Sequence, residues 1–306
     1  MPFQRLVVMC SEFRARKALE RLIGPRLMPY ILHLRPMEWP IMTVHFLLGA
    51  VLAVGLRLPP GRTALAWFVF IVLLNGGTLA LNSAFDQDQG DIGYLRQPPR
   101  PPRHLALVSA LMLAAGLGLG FLLPPLFAWS NAACTAMSVL YSVPPVRLKA
   151  RAGWDLLINC AGFGLLTPLA GWGLTGLPLP RWMLGVAIGF GFLFGALYPT
   201  TQIYQVEEDR ARGDRTLVIV LGEAASLAGA ALLAVLAHLW FAWAALGAHR
   251  SPLPLLVSLA AWMAVLLPWW AQWRRWSPVG HQAGMYCALG AWAVTDASLL
   301  ALLWPR

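Results

Sequence analysis

ALAWFVFIVLLNGGTLALNSA, residues 64–84, contains no charged residue, and FDQDQGD, residues 85–91, follows it directly. A helix needs about 20 residues to cross the ~30 Å hydrocarbon core of a bilayer, so residues 64–84 are long enough to span a membrane. Comparable apolar stretches recur along the chain, at residues 39–57, 64–84, 104–123, 125–141, 154–176, 183–204, 217–247, 254–271 and 282–304. The pattern predicts an all-α fold, a polytopic membrane helix bundle with about nine transmembrane helices.

The composition excludes an ordinary soluble domain. Of the 306 residues, 58% are hydrophobic and 12% are charged, which is more apolar surface than one globular core can bury. The net charge of +10 does not indicate nucleic-acid binding, because no basic run is interleaved with the polar or aromatic groups that such binding requires. The four cysteines lie far apart and lack metal-ligand spacing. The lipid bilayer is therefore the expected partner.

The chain is expected to consist of one membrane domain preceded by a short segment. Residues 1–38 are predicted to be a cytoplasmic, basic segment at the membrane interface, where Arg14 and Lys17 lie near apolar side chains such as Phe13. Residues 39–306 are predicted to form a single membrane-embedded domain.

Two of the predicted spans are irregular. Residues 217–247 are long for one crossing. Residues 154–176 contain Pro168 and three later glycines, which favour a kink.

Acidic residues cluster in two short windows, NSAFDQDQGD at residues 82–91 and QVEEDRARGD at residues 205–214. Each window follows the end of a predicted span. Dense carboxylates repel one another at the edge of a low-dielectric region, so a cation is expected to neutralise them. Mg²⁺ is the simplest candidate, because it takes oxygen ligands from few carboxylates and completes its shell with water and phosphate oxygens. The alternative is a pair of solvated loops whose charges keep them out of the lipid.

The spacing of the polar residues suits a shared site. Asn82 and Asp86 are four residues apart, as are Gln205 and Asp209, so each pair projects from one face of a helix end. Four basic residues accompany these windows: Arg96, Arg100, Arg147 and Lys149. Arginine offers bidentate hydrogen bonds to phosphate and lysine a compact charge. Acids, metal and bases together predict a diphosphate-binding site.

Four motifs in this order resemble those of the UbiA-type intramembrane prenyltransferases. They are LRPMEWP at residues 34–40, NSAFDQDQGD at residues 82–91, YSVPPVRLK at residues 141–149 and QVEEDRARGDRTL at residues 205–217. The resemblance covers most of the chain and identifies it as a divergent member. It implies a Mg²⁺-dependent enzyme that moves a prenyl group from a prenyl diphosphate to an aromatic or other lipophilic acceptor.

The resemblance also implies a role for each matching residue. It assigns metal binding to the oxygen-bearing side chains of the two windows, namely Asn82, Asp86, Asp91, Gln205 and Asp209. It assigns catalytic roles to Asp86, Asp209, Lys149, Arg147 and Tyr141. It places Arg35 near the acceptor. Substrate binding is also expected of Asn82 and Gln205, and of Arg96 and Arg100 because of their charge beside the first acidic window.

The sequence departs from the family pattern at two positions. Gly90 stands where the first motif has its third acid, so Asp88 or Asp91 must substitute, and Asp91 is closer in spacing. Gln205 stands where the second motif has its first Asp. An amide oxygen can bind a metal but contributes no charge, so these departures predict weaker Mg²⁺ binding unless Glu208 or Asp214 compensates.

Three alternatives stay open from the sequence. A membrane terpene cyclase would ionise the same diphosphate but use the double bonds of the substrate as the nucleophile. A degenerate homologue would have lost activity. A transporter is the alternative from another class, but the predicted spans hold few ionisable residues, chiefly His45, Asp296 and Asp155, which do not form a path.

The distribution of basic residues predicts the orientation of the chain, because Lys and Arg concentrate on the cytoplasmic side. With the N-terminus inside, most of the 23 basic residues fall inside as well. The outside keeps only Arg57, Arg62, Arg181, Arg250 and Arg306. We therefore expect the N-terminus and both acidic windows in the cytoplasm.

This orientation is tested by labelling single cysteines in intact cells, after replacement of the native cysteines by serine or alanine. Gly93→Cys and Arg212→Cys are expected to be shielded from a membrane-impermeant thiol reagent. Gly61→Cys is expected to be labelled. Labelling of the first two variants but not of the third would invert the topology.

Overall fold

The structure is a computed structural model that describes residues 20–86, 95, 98–211 and 213–305. The described part of the chain is helical. Its helices are α1 (Met28–His33), α2 (Trp39–Val54), α3 (Pro60–Asp86), α4 (Leu105–Gly120), α5 (Pro125–Ser142), α6 (Trp154–Gly173), α7 (Arg181–Ile203), α8 (Val206–Ala211), α9 (Leu217–Leu221), α10 (Glu223–Gly247), α11 (Leu255–Gln272) and α12 (Pro278–Leu303). Short 3₁₀ turns connect some of them, such as Pro36–Glu38 between α1 and α2.

The predicted all-α membrane bundle is confirmed, but the count of about nine crossings is not. Among the described residues, 7 helical segments are long and apolar enough to span a bilayer, and Leu105–Gly120 is a shorter apolar helix. Helix α5 does not reach that apolarity, because Ser130, Asn131 and Ser138 interrupt it. Asn131 donates a hydrogen bond to the carbonyl of Gly116 in α4, which gives its amide nitrogen a partner within the bundle.

The irregularities of two predicted spans have identifiable causes. The span at 217–247 is not one helix, because Gly222 adopts a φ of 80° between α9 and α10. Glycine reaches this left-handed region without the steric penalty of a side chain. The span at 154–176 is one helix whose middle, Cys160–Leu166, is π-helical just before Pro168. A π-helical turn accommodates the backbone hydrogen bond that proline cannot donate.

Helices α2 and α6 approach each other closely through glycine. A Cβ atom at Gly49 would overlap the carbonyl oxygen of Pro168, and one at Gly171 would overlap that of Phe46. Such small residues allow helix backbones to pack tightly in a membrane, where van der Waals contact replaces the hydrophobic effect. This contact fixes α2 against α6.

Two clusters of buried apolar side chains surround the centre of the bundle. One is formed mainly by α7, α10, α11 and α12 and includes Phe190 and Trp262. The other is formed mainly by α2, α3, α5 and α6 and includes Phe46 and Phe127. A cavity is lined by residues from both groups of helices.

The glycine contact predicts that Gly49→Ala and Gly171→Ala each destabilise the protein by about 1–3 kcal/mol, the usual cost of overpacking. The measurement is the melting temperature in detergent. Gly229→Ala in α10 is the matched control, because nothing lies within 4 Å of the added Cβ atom. Equal melting temperatures for all three variants would contradict the packing account.

Candidate active site

The cavity combines a polar end with an apolar interior. Its volume is about 350 Å³. The polar residues that line it include Arg35, Asn82, Asp86, Tyr141, Lys149, Gln205, Asp209 and Asp214. The apolar residues that line it include Phe70, Leu74, Met137, Phe163, Leu197, Met285 and Trp292. A ligand with a charged head and a hydrocarbon tail fits this division.

Helix α3 presents Asn82 and Asp86 together at its end, as their spacing predicts. The Nζ atom of Lys149 donates to Oδ1 of Asn82 at 2.6 Å. Lys149 also forms an ion pair with Asp86. Because all three residues line the cavity, the ammonium group and both oxygen donors face one space.

Arg147 links the two acidic windows. Its Nη1 atom donates to Oδ1 of Asp214 at 2.6 Å, and its Nη2 atom donates to Oδ1 of Asp86 at 3.2 Å. Both carboxylates are buried, whereas the arginine side chain is one quarter exposed. Burial lowers the pKa of Arg147, but the carboxylates of Asp214 and Asp86 outweigh this effect and raise its pKa above the ordinary value. The guanidinium therefore stays charged.

The backbone brings the Arg147 loop and the second window together. Arg147 has a φ of 35°, which is uncommon for a residue with a side chain. The amide of Arg215 donates to the carbonyl of Ala150 at 3.2 Å. In the second window, α8 carries Asp209, and the amide of Asp214 donates to the carbonyl of Asp209 at 3.0 Å. Main-chain hydrogen bonds thus hold Asp209 and Asp214 beside the loop that carries Arg147.

The structure gathers most of the residues predicted from the sequence. Six of them line the cavity at its polar end: Asn82, Asp86, Tyr141, Lys149, Gln205 and Asp209. Arg35 is also buried and lines the cavity, where it pairs with Glu38 at 3.5 Å. Arg100 is exposed and does not line the cavity. Asp91 and Arg96 lie outside the described residues.

Sequence reasoning missed several residues of the site. Asp214 lies in the second window, where the sequence suggested it as compensating charge for Gln205 but not as a member of the site. Tyr198 and Gln202 also line the cavity, and the Tyr198 hydroxyl is 3.0 Å from that of Tyr141. The sequence could have indicated both residues. They lie seven and three residues before Gln205, a spacing that places side chains on one face of a helix.

The oxygen donors present suit Mg²⁺. Within the described ranges, no three His, Cys, Asp or Glu side chains form a ready-made metal cluster. Mg²⁺ does not require one, since it binds through one or two carboxylates together with water and substrate phosphates. Asp86 and Asp209 supply carboxylates on the cavity wall, and Asn82 and Gln205 supply amide oxygens. The donor set therefore fits a cation that is shared with a phosphate ligand.

Comparison with known proteins supports the motif resemblance. The model of the UbiA prenyltransferase family matches residues 42–289. Digeranylgeranylglyceryl phosphate synthase of Natronomonas pharaonis is 30% identical over 268 residues, which cover 81% of this chain and 87% of the relative. Lycopene elongase/hydratase of Haloferax volcanii is 30% identical over 280 residues, which cover 88% and 90%.

Solved structures share the fold. A UbiA homolog from Archaeoglobus fulgidus bound to GPP and Mg²⁺ has a TM-score of 0.66 at 18% identity, with 87% of this chain and 99% of that chain covered. A digeranylgeranylglyceryl phosphate synthase structure has a TM-score of 0.68 at 14% identity, with 90% and 98% covered.

The bridging role of Arg147 predicts energetic coupling between it and Asp214. Arg147→Gln is expected to lower the melting temperature, because it removes the positive charge that lies between two buried carboxylates. Asp214→Asn in the same chain should restore part of the loss, with a coupling energy of about 1–3 kcal/mol. Arg100→Gln is the control, since Arg100 is exposed. Additive effects of the two site substitutions would show that the bridge contributes nothing.

Proposed function

This chain belongs to the UbiA prenyltransferase family, and we propose that it transfers a prenyl group from a prenyl diphosphate to a lipophilic acceptor within the membrane, with Mg²⁺ as cofactor. The observation that carries the proposal is the continuity of one cavity. Asp86, Lys149 and Asp209 line one part of it, and Leu74, Met137 and Leu197 line another. A diphosphate head and its prenyl tail need these two environments side by side.

We propose that Mg²⁺ binds between the two windows. Asp86 and Asp209 would hold it through carboxylate oxygens, with Asn82 and Gln205 contributing amide oxygens. Asp91 keeps its predicted role as a further ligand, although it lies outside the described residues. When bound, the ion neutralises charge on the diphosphate and so favours its departure. Because Gln205 is neutral, Asp214 is well placed to add negative charge nearby.

The basic residues bind the diphosphate in this proposal. Lys149 lines the cavity and bonds to Asn82. Arg147 does not line it, but bonds to Asp86 and Asp214, which do. Their ammonium and guanidinium groups donate to phosphate oxygens as charge-assisted hydrogen bonds. Because these side chains are already oriented, the reaction does not need to lose the entropy of ordering them. Arg96 and Arg100 are proposed to attract the diphosphate from the cytoplasmic side, and Arg35 to bind a polar group of the acceptor.

The C–O bond between the prenyl carbon and the diphosphate breaks heterolytically, and its electron pair leaves with the diphosphate oxygen. The rings of Phe163, Phe194 and Trp292 line the cavity and present electron-rich faces that stabilise an allylic cation. A nucleophilic carbon or oxygen of the acceptor then forms the new bond and loses a proton. The products are the prenylated acceptor, diphosphate and a proton.

Placement in the cell is part of the proposal. The chain is a multi-pass membrane protein, and we propose that its N-terminus and active-site loops face the cytoplasm. The distribution of basic residues supports this orientation. Residues 39–306 are proposed to form one domain, and the family match at 42–289 lies inside it. Residues 1–38 are proposed to lie at the cytoplasmic interface.

The function is tested with membranes that contain the protein, a radiolabelled prenyl diphosphate and total lipid extract as the source of acceptor. We expect a labelled lipophilic product with Mg²⁺ and none after chelation. Asp86→Asn and Asp209→Asn should each reduce product formation at least 100-fold, because they weaken binding of the ion that neutralises leaving-group charge.

The same experiment separates the alternatives. Label in a hydrocarbon product without any added lipid extract would favour the terpene cyclase. No product from any extract, with no change of melting temperature by Mg²⁺ and prenyl diphosphate, would indicate a degenerate homologue or a transporter. Either outcome would reject prenyl transfer.

A further inference from the structure

Asp155 is a buried carboxylate that the reaction described above does not use. It lies in the first turn of α6, and its relative exposure is 0%. Its Oδ2 atom accepts one hydrogen bond from Nε2 of Gln202 and one from the amide of Leu217, each at 3.0 Å. Burial of a carboxylate at membrane depth costs free energy, so such a residue is expected to have a functional role. The positive end of the α6 dipole offsets part of this cost.

The two bonds connect separate parts of the active site. Gln202 lies in α7 on the cavity wall. Leu217 begins α9 directly after the second acidic window. Asp155 therefore holds the end of that window against α6 and α7, and it also holds Gln202 in the cavity wall.

Gln202 passes the bond on to a pair of tyrosines. Its Nε2 atom also donates to the hydroxyl oxygen of Tyr198 at 3.1 Å, and the Tyr198 hydroxyl is 3.0 Å from that of Tyr141. Tyr141 is also a hydrogen-bond partner of Asn159, whose amide nitrogen donates to the main-chain carbonyl of Asp155 at 2.7 Å. Both tyrosines line the cavity. A continuous chain thus runs from Asp155 to Tyr141.

The donors and acceptors fix the direction of this chain. Nε2 of Gln202 and the amide of Leu217 both donate to Oδ2 of Asp155. An amide nitrogen has no accepting lone pair, and the Tyr198 oxygen consequently accepts from it. The single hydroxyl hydrogen of Tyr198 remains available for the oxygen of Tyr141. Tyr141 keeps its own hydrogen, for which the Asn159 oxygen and a bound phosphate oxygen are competing acceptors.

We propose that Asp155 is a positioning residue that acts through Gln202 and Tyr198 to make Tyr141 a hydrogen-bond donor to the departing diphosphate. This inference rests on the proposed prenyl transfer. When the C–O bond breaks and its electron pair moves onto the diphosphate oxygen, the Tyr141 hydroxyl donates to that oxygen and retains its proton. A donor oriented before the reaction stabilises developing charge without reorganisation.

The test measures kcat and the KM for prenyl diphosphate of the wild type, Tyr141→Phe, Tyr198→Phe and the double variant, at saturating Mg²⁺ and varied prenyl diphosphate. Each single variant is expected to lower kcat about 10-fold or more with little change of KM, because the donor acts on charge that develops after binding. The double variant should be no slower than Tyr141→Phe alone, since both changes interrupt one chain. Effects that multiply would overturn the proposal.

Substitutions at residues 155 and 202 provide an independent test of the hydrogen-bond direction. Asp155→Asn keeps an accepting oxygen of the same shape for Gln202 and Leu217, and should retain kcat within about threefold. Gln202→Glu removes the donating nitrogen, so Tyr198 turns its hydrogen toward residue 202, and kcat should fall as in Tyr198→Phe. Full activity of Gln202→Glu would reject the directional chain.

Ligand binding distinguishes failure of this inference from failure of the proposed function. Every variant should still melt at a higher temperature when Mg²⁺ and prenyl diphosphate are present together. If the wild type forms product and the tyrosine variants keep its kcat, only the role of the chain is rejected. If the wild type neither forms product nor gains stability from the ligands, the proposed function itself is rejected, and this inference with it.

Discussion

The site depends on the neutralisation of buried carboxylates at the edge of the bilayer. Asp86 and Asp214 come from windows far apart in the sequence, and one guanidinium, that of Arg147, bonds to both. Like charges at this depth would otherwise repel one another strongly, because the local dielectric constant is low. The same three residues connect α3, the basic loop and the second window. The ion pairs therefore position the elements that surround the proposed diphosphate site.

This arrangement explains how a site with few formal charges can still suit a metal and a diphosphate. Gln205 contributes no charge, but Asp214 brings a carboxylate to the same cavity. The cations of Arg147 and Lys149 are close enough to Asp86 to exchange partners when a phosphate arrives. In the proposed reaction, substrate binding would replace one set of charge-assisted hydrogen bonds by another.

The apolar part of the cavity depends on a different physical cause. Close packing of α2 on α6 through Gly49 and Gly171 places His45 and Phe163 on neighbouring walls, where Nε2 of His45 is 3.1 Å from the carbonyl oxygen of Phe163. Aromatic rings from α6, α7 and α12 complete the lining. In a membrane, such a lining excludes water from the reacting carbon, which protects an allylic cation from hydrolysis.

The sequence alone determined the membrane bundle, because apolar stretches of about 20 residues have few other stable environments. It also placed Asn82 beside Asp86, since residues four apart share a helix face, and its motifs identified the family. Only the tertiary structure decided the partners of these residues. The bond between Asp155 and Gln202 spans 47 positions in the sequence, and Arg100 proved to be exposed. Such contacts depend on how helices pack and where the chain turns, as at Gly222, and local spacing carries no information about either.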